Sequence, residues 1–130
     1  MLRREGGVMD IRVRFFKKSC IIDVAGEIDL YNAFRLEDTV CSVMEKKVCA
    51  FIFNLKRVKY IDSSGVGALL SINAMLTKNA LPFRIVAVPP AVMKVMELTR
   101  LVGFLPLEKT ELEALDSLVG RKKEQSSRTA

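Results

Sequence analysis

The sequence predicts an α/β fold built on a mixed, mostly parallel β-sheet. Three observations carry that prediction. Apolar runs with strand periodicity alternate with stretches at helical spacing, in the order β-β-α-β-α-β-α-β-α. The run Cys49 to Leu55 is almost wholly apolar, as expected of a central strand covered by helices on both faces. The first two strands are separated only by Lys17-Lys18, so they form an antiparallel hairpin, whereas the βα units that follow require parallel pairing. A chain of 130 residues is one domain, with a core large enough to fold without disulfide or metal staples.

The elements follow in order. Residues 1–8 form an expected flexible N-terminus, because Arg3-Arg4-Glu5-Gly6-Gly7 has no apolar periodicity. Purine-rich codons, as in a translated ribosome-binding site, would encode such residues, which makes Met9 an alternative start. From Asp10 to Phe16, Ile11, Val13 and Phe15 alternate with Arg12 and Arg14, a half-exposed strand. Ser19 to Ala25 is the second strand. Gly26 to Asn32 is a loop entering a helix, with Asp29 a candidate N-cap; Ala33, Leu36, Val40, Val43 and Met44 form that helix's inner stripe. After the central strand, Lys56 to Asp62 is read as a connector. The helix from Ser64 to about Asn79 shows almost no polar stripe, so it is either sandwiched deeply or presents a docking surface. Phe83 to Val88 is a strand, and Pro90 opens a helix to about Arg100. Gly103 is placed to cap it, Phe104 to Leu107 is the last strand, and Thr110 with Glu113 makes a capping box. Leu112, Leu115 and Val119 carry the final helix. The expected domain is 9–119, followed by a disordered basic tail, 120–130.

Composition excludes several function classes. The net charge of +6 is spread as +1 over residues 1–9, +3 over 120–130 and only +2 over the body between them, which argues for solvated ends rather than a nucleic-acid surface. No apolar run approaches a membrane span and no signal peptide is present, so a cytoplasmic protein with no membrane partner is expected. Cys20, Cys41 and Cys49 lie in apolar runs without metal-ligand spacing and read as reduced core thiols. The chain has no His, so no Ser-His or Cys-His nucleophile and no imidazole metal site can be built. Gly65-Val66-Gly67 lacks the Gly-Lys-Ser/Thr of a phosphate loop. A non-enzyme with no catalytic residue, no metal and no cofactor is expected.

The densest cluster of small polar residues is Tyr60-Ile61-Asp62-Ser63-Ser64-Gly65-Val66-Gly67. Ser63 or Ser64 is expected to cap the helix that follows. The two glycines weaken its first turn and let another backbone or a partner approach closely. This stretch resembles the signature of the STAS domain, the fold of bacterial anti-sigma factor antagonists, in which Asp-Ser-Ser-Gly follows a strand. A second family motif is matched by Gly26-Glu27-Ile28-Asp29-Leu30-Tyr31-Asn32-Ala33. The resemblance runs from about Met9 to Val119.

The resemblance implies a single STAS-type domain. It also implies that Ser63 is a phosphorylation site, in an environment made by Asp29, Asn32, Asp62, Ser64, Gly65 and Val66. The unphosphorylated form would capture an anti-sigma factor that is itself a Ser kinase and so free a sigma factor. Phosphorylation would switch binding off, and a Ser phosphatase would restore it. Preference for Ser63 over Ser64 rests on the family pattern and on the expectation that Ser64 is committed as a cap. Family members also serve as scaffold subunits of stressosome-like complexes, and some bind nucleotide. A scaffold role, with ATP or GTP held near Asp29 and Ser63, is the alternative.

Overall fold

The computed structural model describes residues 7–118. Five strands form one sheet in sequence order: β1 (Met9–Phe16), β2 (Ser19–Ile28), β3 (Ala50–Ile61), β4 (Phe83–Val86) and β5 (Leu107–Glu108). β1 and β2 pair antiparallel, and the other neighbours pair parallel. Between them lie α1 (Phe34–Met44), α2 (Ser63–Lys78), α3 (Pro90–Leu98) and a 3₁₀ turn, Val102–Phe104. A last helix, α4, covers residues 111–118. This is the order and pairing expected from the sequence. None of these helices is long and apolar enough to cross a membrane.

Strand alternation divides the core into two layers. Cys20, Ile22 and Val24 of β2 share a face with Phe51, Phe53 and Leu55 of β3 and with Phe83 and Ile85 of β4; α1, α2 and α3 pack on that face. Phe53 and Phe83 meet edge to face at 5.2 Å, the arrangement the ring quadrupoles favour. The other face presents Ile21, Ile52 and Val86 to Ala114 and Leu118 of α4. Arg14 ties α4 to the hairpin, its guanidinium donating to both Asp23 and Glu111. Those two bonds hold its pKa above the ordinary Arg value.

β3 is longer than expected. The residues read as a connector, Lys56 to Ile61, remain in the strand and pair with β2, which itself runs on to Ile28. The register shifts between Asp23 and Ala25 and again between Gly26 and Glu27. These irregularities break the two-residue alternation, so Leu55, Val58 and Ile61 point to the core at intervals of three. A period of three is not a strand signal, which hid the extension. Conversely, β4 stops at Val86, because Ala87 takes a φ of 58°.

Several terminal features differ from expectation. The left-handed residue after α3 is Arg100, with a φ of 60°; Gly103 lies in the 3₁₀ turn and caps nothing. Phe104 also belongs to that turn, and the last strand is Leu107–Glu108. Thr110 does start α4, its hydroxyl oxygen accepting from Glu113 N at 3.1 Å. The buried face of α4 is the four-residue pair Ala114 and Leu118, however, with Leu115 half-buried and Leu112 exposed. Val119, the basic tail and residues 1–6 lie outside the described residues. Of the thiols, Cys20 is buried, Cys49 half-buried and Cys41 exposed, because Cys41 falls beside rather than on the Leu36–Val40–Val43 stripe. Burial pushes the Cys20 thiol up to about 11.

Gly7 and Val8, assigned to the flexible N-terminus by sequence, are tied to the domain. Val8 O accepts from Glu27 N at 2.9 Å, and Gly7 N donates to the Asp29 carboxylate. Gly26 makes room for this approach: its φ is +93°, and a Cβ there would lie 2.2 Å from Val8 O. A chain beginning at Met9 loses both bonds and a third, from Asn32 Nδ2 to Gly7 O at 3.3 Å. At about 0.5–1.5 kcal/mol net per hydrogen bond, it is expected to unfold about 1.5–4.5 kcal/mol more easily in urea than the full chain. Equal midpoints would show that residues 7 and 8 contribute nothing.

Candidate functional site

β2 and β3 run parallel and end side by side, Ile28 beside Ile61. The loops that leave them, β2–α1 and β3–α2, therefore meet at the C-terminal end of the sheet, where open α/β sheets place their sites. Asp62 joins the two. It is the N-cap of α2, in extended conformation, and its Oδ1 accepts from Gly65 N at 3.0 Å. Its Oδ2 accepts from Leu30 N at 3.1 Å, and its own N–H donates to Ile28 O at 3.1 Å. One carboxylate thus caps a helix and fixes the neighbouring loop.

The cap is consequently Asp62 and neither serine. Asp accepts from the third residue of the helix as readily as Ser does, and its second oxygen reaches Leu30, which a single hydroxyl could not do as well. Ser63 and Ser64 occupy the first two helical positions. Ser63 is exposed and Ser64 half-buried. Neither hydroxyl makes a hydrogen bond among the described residues. Ser64 is therefore not committed as a cap, and what distinguishes Ser63 is exposure. Among the described residues no base polarises the Ser63 hydroxyl, and no cluster of acids or thiols is arranged for a metal.

Asp29 does not cap α1, whose first turn has no side-chain cap. It forms a local turn instead: Oδ1 accepts from Tyr31 N at 2.9 Å, while Asn32 Oδ1 accepts from Asp29 N at 2.9 Å. Asn32 Nδ2 donates to Glu27 O at 2.8 Å and to Gly7 O at 3.3 Å. Asp29 and Asn32 are 8% and 7% exposed, the buried polar residues of the described chain. Their polar groups are spent on backbone, which is what burial demands. Val66 is fully buried.

Gly65 is buried as well, and a Cβ there would come within 2.6 Å of Ile61 Cγ1 and 2.8 Å of Ile28 Cγ2. Its lack of a side chain lets α2 settle onto the two strand ends. Gly67 is different: a Cβ there meets nothing within 4 Å, so it leaves open surface one turn beyond Ser63.

Of the seven residues singled out by sequence, Ser63, Ser64 and Asp62 reach the surface, and Asp29, Asn32, Gly65 and Val66 form the support beneath. The sequence reading missed the rim. Leu30 is 67% exposed, Tyr31 57%, Phe34 60% and Tyr60 48%. Leu30 is bonded to Asp62, and Tyr60 pairs in register with Glu27, so these side chains share the sheet end with Ser63. The signal was present in Leu30-Tyr31, two large apolar residues inside a polar turn. A shallow hollow of about 770 Å³, lined in part by Glu27, Lys59, Tyr60 and Pro89, adjoins the rim.

The family model described as the STAS domain matches residues 10–114. An anti-sigma-B factor antagonist of Staphylococcus aureus is 28% identical over 93 residues, covering 71% of this chain and 86% of that protein. Among solved structures, an anti-sigma factor antagonist from Mycobacterium paratuberculosis superposes with a TM-score of 0.74 at 28% identity, covering 85% of this chain and 93% of that one. The anti-sigma factor antagonist SpoIIAA in its unphosphorylated form superposes at 0.70 and 25% identity, covering 85% and 97%. The Bacillus SpoIIAA structure in the phosphorylated form, at 0.62 and 23%, shares the fold.

Two pairs of outcomes test the scaffold. Gly65→Ala is expected to lose about 1–3 kcal/mol of stability by overpacking against Ile61 and Ile28, whereas Gly67→Ala is expected to gain about 0.5–1 kcal/mol. Equal effects in chemical denaturation would contradict the close packing at Gly65. Asp62→Ala removes both acceptors and is expected to cost about 1–2 kcal/mol, with Asp62→Asn recovering most of it. If Asp62→Ala melts as the wild type does, the carboxylate is not the clasp between the loops.

Proposed function

The chain belongs to the STAS domain family, and from that premise we propose that it is an anti-sigma factor antagonist switched by phosphorylation of Ser63. The observation that carries the reading is the state of Ser63: exposed, without a hydrogen bond among the described residues, and at the first position of α2, at the sheet end whose loops also carry exposed apolar side chains. The names of its relatives support the antagonist class. The phosphorylated SpoIIAA structure makes phosphorylation a known state of one protein with this fold.

The physics of the switch is simple. Unmodified, Ser63 is small and neutral, so an anti-sigma factor can pack over it and bury Leu30, Tyr31, Phe34 and Tyr60. Aromatic side chains of this kind supply most of the energy in well-packed interfaces. Phosphorylation adds about −1.5 to −2 charges and a tetrahedral group. In an apolar interface that anion must be desolvated without a partner, a cost of several kcal/mol. The helix N-terminus tolerates it in the free protein. The partner would be an anti-sigma factor with Ser kinase activity, with a Ser phosphatase resetting the cycle. The domain itself would act as substrate and ligand rather than as an enzyme.

Incubation with that kinase and ATP, followed by mass spectrometry, is expected to place phosphate on Ser63. Phosphate on Ser64 alone would overturn the assignment. Ser63→Ala is expected to keep full affinity for the anti-sigma factor, and Ser63→Asp to lose about 3 kcal/mol, a fall of more than about a hundredfold. Both variants should melt within about 1 kcal/mol of the wild type, since no hydrogen bond is lost and an acid at a helix start is mildly favourable. Undiminished binding by both Ser63→Asp and the phosphorylated protein would refute the switch.

A further inference from the structure

The pole of the domain opposite Ser63 carries a second surface of a different kind. β3 is 12 residues long, so its two ends stand about 35–40 Å apart. At the far end the β1–β2 turn carries Lys17 and Lys18, flanked by Phe15 and Phe16, both about half exposed. The α1–β3 loop brings Lys46 and Lys47 beside them, because Cys49 N donates to Lys18 O at 2.7 Å. Lys46 Nζ stands 5.6 Å from the Phe15 ring centroid, and Lys17 Nζ 5.5 Å from that of Phe16. Each exposed ring therefore carries one ammonium group over it, and Lys18 and Lys47 are the next residues along the same turn and loop. Glu45, beside Lys46 in sequence, is exposed as well.

The turn holds its lysine against a conformational preference. Lys17 has a φ of 55°. A two-residue hairpin turn of this primed kind favours Gly or Asn there, since a Cβ crowds the backbone at positive φ. A hairpin needing only to turn would do so more easily with glycine. The shape also selects the partner. The rings and ammonium groups sit at a two-residue hairpin turn and the loop bonded to it, a short patch rather than a long track that could follow a nucleic-acid backbone. The cations are all lysines, which lack the planar fork that Arg uses for bidentate phosphate contacts. Aromatic rings that enter the headgroup boundary, with lysines reaching anionic headgroups around them, are the chemistry of a lipid interface.

We infer that the Lys17–Lys18 hairpin end, with Phe15, Phe16, Lys46 and Lys47, is a docking surface for an anionic membrane, leaving Ser63 free at the other pole. Binding there is reversible and salt-dependent, because its charges act through the surface potential of the lipid. It needs no antagonist activity and stands whether or not Ser63 is phosphorylated.

Co-sedimentation of the full chain with vesicles of phosphatidylglycerol and phosphatidylcholine in equal parts tests this, with pure phosphatidylcholine vesicles as the control. The protein is expected to sediment with the mixed vesicles at low salt, to be released at high salt, and to ignore the control. Reversing two charges in Lys17→Glu/Lys18→Glu is expected to weaken binding by at least about tenfold. Phe16→Ser is expected to weaken it severalfold. Lys17→Gly separates folding from binding: it relieves the positive φ, so it should melt no lower than wild type while still binding more weakly. Absence of sedimentation with anionic vesicles, equal sedimentation with both vesicle types, or unchanged binding by Lys17→Glu/Lys18→Glu and Lys17→Gly would each overturn the inference. So would a preference for single- or double-stranded nucleic acid that abolishes vesicle binding in competition.

Discussion

The Asp62 carboxylate is the contact on which the site depends. Its two oxygens take the N–H of Gly65, in the first turn of α2, and the N–H of Leu30, in the neighbouring loop. Either bond alone would be an ordinary cap or an ordinary loop contact. Together they set the distance between two loops that the sheet only brings into the same region. A carboxylate is suited to this, because it accepts along two directions and is stabilised by the positive end of the helix beneath it. Asp29 and Asn32 repeat the device one layer down, using side-chain acceptors and a donor to hold Tyr31, Glu27 and Gly7. The site is a set of backbone groups pinned by three polar side chains.

That construction separates scaffold from surface. The residues that make the two sequence motifs recognisable are mostly inside: Asp29 and Asn32 are bonded to backbone, Gly65 is packed on Ile61 and Ile28, and Val66 is in the core. What a partner would meet is Ser63 and the exposed Leu30, Tyr31, Phe34 and Tyr60. Substitution at those rim positions leaves every scaffold bond in place. The same frame can therefore carry different partner specificities, and the motifs by themselves report the frame. Function in such a fold has to be argued from the rim.

The same division explains what could be read in the sequence. The element order, the hairpin, the parallel sheet and the Ser63 corner were legible because each has a local signature: alternation, helical spacing, or a polar corner after an apolar strand. The extension of β3 was not, because paired irregularities in β2 moved its buried residues to a period of three. The α4 face was misplaced because Leu outranks Ala in hydrophobicity, yet the space opposite Ala50 and Ile52 accepts Ala114 and Leu118 and leaves Leu112 outside. Apolar neighbours make Cys41 look like core, but one residue is a turn of about 100° on a helix, enough to bring it to solvent. The capping residue is not legible for a simpler reason. Asp, Ser and Ser are all good caps, and only the backbone, extended at Asp62 and helical from Ser63, decides among them.

Phosphate at Ser63 would sit beside the Asp62 carboxylate, and two anions at one corner repel. Whether the corner survives depends on what each anion can bind. Both Asp62 oxygens are already engaged by Gly65 N and Leu30 N. The first two N–H groups of a helix have no partner within the helix and remain open to an anion. A phosphate at the first position can turn toward these donors without displacing either Asp62 bond, so the two anions draw on different donors at one positive helix end. The repulsion is further reduced by water, since Ser63 is exposed and the added charge stays solvated in the free protein. It becomes costly when a partner covers the corner and removes that water. Under the proposed reading, the modification therefore acts where it is needed, on the complex, and leaves the fold that presents it intact.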